Sequence, residues 1–253
     1  MTRRRRLPLG IRATAHLVRP MMNLLIGKEW RGLETLPESG FIAVTNHVSK
    51  IDPLAVGLAV VRTGTIPHFL AKDSLFRLPV VGPALTRLQQ VPVARADRQA
   101  AKQSLQVAQS ALDRGGAIMI YPEGTLTRDP ELWPMRAKTG AARLALNTGA
   151  PLIPFVHWGL QDVLAPYAKL PKPWPRKKYV LQVGDPIDLS DLRQRPLTRT
   201  VLAEATERVE AALTEGVAQL RGEPAPELIW DRALNQRVPR HQLRARGGDE
   251  VAS

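Results

Sequence analysis

The spacing of apolar positions changes repeatedly along the chain, and each change marks an element. From Leu7 to Ile26 the polar residues Arg12, His16 and Arg19 recur at helical spacing among Ile11, Ala15, Leu17, Val18, Met21, Met22, Leu24 and Leu25. That pattern predicts a basic amphipathic helix, interrupted near Pro20. Residues 29–33 read as an edge strand. Short apolar runs then alternate with helical patterns: strand 41–45, helix 53–62, strand 68–72, helix 79–89, strand 91–95, helix 99–114, strand 117–121, helix 137–147 and strand 152–158. Strands separated by helices predict an α/β fold with a mainly parallel central sheet flanked by helices, here with an N-terminal basic amphipathic helix. The basic, aromatic and proline-rich segment 167–178 reads as a surface loop, followed by strand 179–183 and a turn at Gly184-Asp185-Pro186. Val201, Leu202, Ala205, Val209, Ala212, Leu213 and Val217 give one face of a long helix over 197–221. The expected organisation is a helix in 1–28, an α/β domain in 29–221 and a poorly ordered tail in 222–253, of which Leu228-Ile229-Trp230 is a segment able to dock.

Composition narrows the possibilities. With 253 residues, 44% of them apolar, the chain can bury a sizeable core. It has no cysteine, which excludes disulfides, a cysteine nucleophile and thiolate metal sites. The net charge of +13 is concentrated at the start, where residues 1–31 hold eight Lys and Arg against one Glu. An anionic partner follows, either phospholipid or nucleic acid. The longest uncharged apolar runs, 20–27 and 53–61, fall far short of the ~20 residues of a membrane span. The opening does not read as a signal peptide either, because Pro8 breaks its apolar stretch and Arg12 closes it. These features predict a protein in the cytosol or peripheral on the cytoplasmic face of the cell membrane, where Arg3 to Arg6 and the first helix would meet the anionic surface unless that helix simply packs on the domain.

Chemistry concentrates at the expected strand ends, where open α/β sheets build their sites. After strand 41–45 comes Asn46-His47, with Asp52 five residues beyond the histidine. A histidine with a carboxylate partner is the minimal equipment for general-base catalysis, the partner fixing the tautomer and stabilising the imidazolium. Asp52 before Pro53 also reads as a helix cap. The later strand ends carry Lys72-Asp73, Val91-Pro92-Val93-Ala94-Arg95 and Tyr121-Pro122-Glu123-Gly124-Thr125. Singly, Arg95 is an ordinary solvated charge and Glu123 an ordinary turn residue. Together these ends bring an imidazole, two cations and three carboxylates to one edge. No metal constellation is visible: His16, His47, His68, His157 and His241 are scattered, and His68 and His157 read as core or surface histidines. Neither a Gly-rich phosphate loop nor a G-x-S-x-G elbow occurs.

These blocks, in this order and spacing, resemble the glycerolipid acyltransferase family, in particular its bacterial 1-acylglycerol-3-phosphate acyltransferase type. Asn46-His47 with Asp52 matches the N-H-x-x-x-x-D block, and Val91 to Arg95 the second block. Tyr121 to Thr125 matches F-P-E-G-T, Ala150-Pro151-Leu152-Ile153-Pro154 the fourth block, and Lys138-Thr139-Gly140 a K-x-G stretch. The resemblance covers roughly residues 30–192. It implies His47 as general base and Asp52 as its orienting partner. It further implies that Arg95, Glu123 and Gly124 line a pocket for the acceptor phosphate, with Asn46 and Thr125 beside them as substrate-binding residues. The family often has arginine directly after E-G-T; here Leu126 stands there, and Arg128 is the candidate substitute. Lys72, Arg95, Lys138 and the cations of 169–178 suit the phosphate and pyrophosphate groups of such substrates. The implied reaction is direct attack of a lysophospholipid hydroxyl on acyl-CoA, with acyl-CoA as co-substrate and neither cofactor nor metal. Glycerol 3-phosphate or another lysolipid would use the same residues. A nucleic-acid-binding module finds no RNP, KH or helix-turn-helix signature, and aromatics are few at 5%. A non-catalytic lipid-binding relative would leave the His47 and Asp52 pair without a purpose.

Overall fold

Seven strands form one sheet in a computed structural model that describes residues 7–93 and 98–239, the side chains of 98–103 excepted. In chain order the elements are α1 (Leu9–Leu25), β1 (Ile26–Arg31), β2 (Phe41–Thr45), α2 (Asp52–Arg62), β3 (Pro67–Lys72), α3 (Val81–Arg87), β4 (Val91–Val93), α4 (Arg98–Asp113), β5 (Ala117–Ile120), α5 (Gly140–Thr148), β6 (Leu152–Trp158), β7 (Lys177–Val183), α6 (Ser190–Arg193), α7 (Arg199–Arg221), β8 (Leu228–Asp231) and β9 (Gln236–Pro239). The sheet order is β1-β7-β6-β2-β5-β3-β4. β6, β2, β5, β3 and β4 run parallel, β7 is antiparallel to β6, and β1 is parallel to β7. The mainly parallel α/β sheet expected from the alternating pattern is therefore present. Because β7 runs against β6, the start of β7 and the start of β1 lie at the same edge as the carboxyl ends of the parallel strands.

The period of two along the strands divides the core into halves. Ile42, Val44, Ile118, Ile120, Leu152 and Val156 face one side, where α4, α5 and α7 cover them. Phe41, Ala43, Met119, Ile153, Phe155 and Leu181 face the other, under α1 and α2. β2 is buried along its whole length, as a central strand with helices on both faces must be. Its carboxyl end opens onto the candidate site.

Two elements depart from the sequence pattern. α1 runs without a break through Pro20. His16 and Pro20 are both exposed, so a carbonyl released by the missing proline N–H can meet water. Only Ile11, Ala15 and Met22 of this helix are buried, while Leu17, Met21 and Leu24 form a second, exposed apolar stripe. The segment after Gly222, expected to be poorly ordered, folds over 228–239 into a hairpin in which Ile229 pairs with Val238 and both are buried. Arg237 donates twice to Asp129, at 2.7 Å each, and Arg136 donates to Asp231 at 3.1 Å. The hairpin is held by residues about a hundred positions upstream, which no local pattern reveals.

Candidate active site

The chain leaves β2 through Asn46 and His47 and enters α2 at Asp52, and the corner between them brings the imidazole and the carboxylate together. Within one helix, positions five apart would sit about 140° around the axis and could not meet. Here His47 Nδ1 lies 2.9 Å from Asp52 Oδ2, and the same oxygen accepts the backbone N–H groups of Val48 and Ser49 at 2.8 Å each. Asp52 thus reaches back over the corner and makes no capping bond to its own helix. A carboxylate can only accept, so Nδ1 carries a proton, and in the neutral ring the lone pair is on Nε2. Asp52 is fully buried, whereas the His47 side chain remains 17% exposed, so the imidazole is the reachable member of the pair. The ring stacks on Tyr121, with centroids 4.0 Å apart. Burial first, and the Asp52 charge second, push the hydroxyls of Tyr121 and Tyr179 well above the usual tyrosine value, which keeps both protonated.

The segment 121–136 clamps the histidine from the other side. His47 N–H donates to Glu123 Oε1 at 3.3 Å, and His47 C=O accepts from Thr127 N–H at 2.8 Å. The second Glu123 oxygen accepts Met135 N–H at 3.1 Å. Gly124 closes the turn with a positive φ of 71° and an N–H bond to Tyr121 C=O, a conformation glycine adopts without strain. Burial raises the Glu123 carboxyl to about 8, against the lowering effect of its two N–H donors.

Two residues expected to bind substrate are buried and hydrogen-bonded to the main chain. Glu123 is turned inward, only 3% exposed, and both of its oxygens are taken by backbone N–H groups. Asn46 is buried, and its amide pairs reciprocally with the main chain of His157, donating to the carbonyl and accepting from the N–H at 3.0 Å each. Thr125 and Gly124 are partly exposed beside the corner. Arg128 is exposed on the residue after Thr127, Lys138 is exposed with its N–H bonded to Pro122 C=O, and Lys72 is exposed at the end of β3. Arg95 lies outside the described residues, as do Arg3 to Arg6. Ser49, a formal nucleophile by residue type, donates its hydroxyl to Leu164 C=O at 2.6 Å and faces the scaffold.

His157 is the residue that sequence reasoning set aside. It is fully buried on β6, the neighbour of β2, with Nε2 3.0 Å from Asn46 C=O and 3.8 Å from Asp52 Oδ2. A carbonyl accepts only, so Nε2 is protonated, and burial lowers the pKa and keeps the ring neutral. It therefore presents an N–H edge to the oxygen that orients His47. The β2–β6 register pairs Thr45 with Phe155 and so carries residue 157 alongside residue 47, a relation that only the pairing of the two strands displays.

A model of the acyltransferase family matches residues 28–158, just over half of the chain. The chain belongs to the acyltransferase family. It is 30% identical over 136 residues to the chloroplastic 1-acyl-sn-glycerol-3-phosphate acyltransferase of Brassica napus, covering 53% of this chain and 38% of that one. To the 1-acyl-sn-glycerol-3-phosphate acyltransferase of Borreliella burgdorferi it is 32% identical over 125 residues, covering 49% and 48%. The matched region thus spans less than half the length of these curated relatives. The fold is similar to the crystal structure of the 1-acyl-sn-glycerophosphate acyltransferase from Thermotoga maritima, with a TM-score of 0.65 at 22% identity over 85% of this chain and 81% of that one. In this acyltransferase-family chain the matched segment contains most of β1 and all of β2 through β6, and with them His47, Asp52, Glu123 and His157.

Proposed function

We propose that this chain transfers a fatty acyl group from acyl-CoA to the free hydroxyl of 1-acylglycerol 3-phosphate, giving phosphatidate, with His47 as general base. The observation that carries this reading is the His47 to Asp52 pair, in which a saturated, buried carboxylate oxygen leaves the imidazole Nε2 as the one accessible base of the corner. Nε2 takes the hydroxyl proton as the oxygen attacks the thioester carbonyl. The carbon–sulfur bond then breaks, and the departing thiolate recovers the proton from the imidazolium as free CoA. The names of the relatives support the acceptor class. Exposed Arg128, Lys138 and Lys72, with Arg95, are the cations assigned to the phosphate groups. Residues 29–221 form the acyltransferase domain in this reading, and it calls for no cofactor beyond the acyl-CoA co-substrate.

The lipid acceptor calls for work at a membrane surface. Among the described residues no helix is long and apolar enough to cross a membrane. The exposed stripe of Leu17, Met21 and Leu24 on α1 supports a peripheral contact, which we assign to the cytoplasmic face of the cell membrane. The test is release of free CoA from palmitoyl-CoA with lysophosphatidate as acceptor. His47→Ala is expected to keep its circular dichroism and to lose at least about a hundredfold in rate. Turnover that survives this substitution overturns the mechanism.

A further inference from the structure

The loop 163–176, between β6 and β7, carries five cations and no acid when counted through Lys178. It also carries the most exposed large apolar side chains away from α1 and α3, with Leu170 80% and Trp174 81% accessible and Tyr167 exposed beside them. Exposure of this kind usually accompanies a floppy segment, but this loop is tied down. Ser49 Oγ donates to Leu164 C=O at 2.6 Å, Lys50 Nζ to Ala168 C=O at 3.1 Å, and Tyr167 Oη to Leu126 C=O at 3.1 Å. Those partners belong to the His47 corner and to the segment after the E-G-T block, so the loop is fastened to the rim of the site.

The topology brings the loop and the end of α1 to one edge. β7 begins at Lys177 and β1 at Ile26, and the two residues are register partners. The antiparallel β6–β7 pairing sets both beside the carboxyl end of β2, where His47 sits. The Lys28 ammonium is held below its ordinary value by burial and then by the charges of Arg19, Arg176 and Arg62. Cations from α1, β1 and the loop thus lie close enough to act on one another, and the exposed Leu24, Leu170 and Trp174 belong to α1 and the loop.

We propose that loop 163–176 is a second bilayer contact, which with the exposed stripe of α1 lays the site edge of the sheet against an anionic leaflet. This deepens the lipid-surface reading above and rests on it. Tryptophan among lysines suits the headgroup boundary, where the indole buries its rings and keeps its N–H wet while the cations meet lipid phosphates. A protein partner would need complementary pockets for two protruding side chains. A lipid boundary needs only the charge and the apolar area that the loop presents. With both contacts at that edge, the leaflet lies against the edge of the sheet at which His47 sits.

The full chain is sedimented with mixed phosphatidylcholine and phosphatidylglycerol vesicles, beside a Leu170→Ser, Trp174→Ser double variant and a Leu17→Ser, Leu24→Ser double variant. The loop variant is expected to partition roughly tenfold more weakly, since each apolar side chain withdrawn forfeits its burial in the interface. Trp174→Phe is expected to keep the partition and to lose most of the fluorescence quenching by brominated acyl chains. Unchanged partition of the loop variant, while the α1 variant is weakened, overturns the inference and leaves the lipid-surface reading standing. Failure of the unsubstituted chain to bind vesicles overturns both. Unchanged partition with a raised Michaelis constant for acyl-CoA overturns it as well and makes the loop a wall of the substrate cleft. Partition needs no turnover, so weakened partition of the loop variant upholds the inference even if acyl transfer is absent.

Discussion

Asp52 Oδ2 receives three donors, from the His47 ring and from the Val48 and Ser49 backbones, and this saturation decides what the residue does. Asp52→Asn can turn its amide oxygen toward the same three donors. The new NH2 then falls where Oδ1 stands, and Oδ1 accepts no hydrogen bond from any described residue. The hydroxyls of Tyr121 and Tyr179, buried without a partner among the described residues and close enough to feel the Asp52 charge, can accept. The variant is therefore expected to fold with a stability change within about 1 kcal/mol, while losing roughly two to four orders of magnitude in rate, because the imidazolium has lost its counter-charge. Denaturant midpoints beside turnover rates check this, and a large stability loss with little rate loss would return Asp52 to a structural role. The His47 and Asp52 pair was legible in the sequence because both its members lie in one short corner. The roles of Glu123, Asn46 and His157 were not. Glu123 closes on Met135 twelve residues away and Asn46 on His157 across a strand pair, so the same residue types read as binding groups until the backbone that uses them is seen.

At the scale of elements, the parallel strands and their helices were legible because each is a run of buried or amphipathic positions that declares itself locally. The β8–β9 hairpin does not, since its few apolar residues gain their burial from the segment around Asp129 to Arg136. Arg237 is the tie: it holds the buried Asp129 with two bonds and also reaches Glu131 at 3.0 Å. Arg237→Ala leaves a buried carboxylate unpaired, which costs about 3 kcal/mol. The loss is expected to appear in chemical denaturation and to fall in the double variant with Asp129→Asn, where no charge remains to be compensated. Additive losses in that cycle would show that the pair does not act as a unit.

For the whole molecule, two buried titratable groups beside the site set opposing pH slopes. The folded state holds the Glu123 proton up to about 8, whereas the unfolded chain releases it near 4.5, so this group makes stability fall as pH rises through that window. The slope is ~1.4 kcal/mol per pH unit. His157 acts in the other direction: its folded pKa lies below 6.5, so stability falls as pH drops beneath that value. Just below pH 6.5 the two slopes oppose each other, and from 6.5 to about 8 only Glu123 of the two contributes. Glu123→Gln meets one of its N–H donors with an NH2, costing about 1–3 kcal/mol, but it does not titrate. Thermal midpoints are therefore expected to show the variant well below the parent at pH 5, with the gap narrowing toward pH 8; a gap independent of pH would refute the buried acid. The clamp on His47 has a further consequence, visible in time rather than in energy. Its N–H is closed by Glu123, its C=O closes Thr127 N–H, and Glu123 in turn closes Met135 N–H. None of these three amides can be released to solvent without loosening the same small assembly, so in deuterium exchange His47, Thr127 and Met135 are expected to open with one common rate. His47 and the segment 123–135 breathe together, and every excursion that opens the one loosens the other.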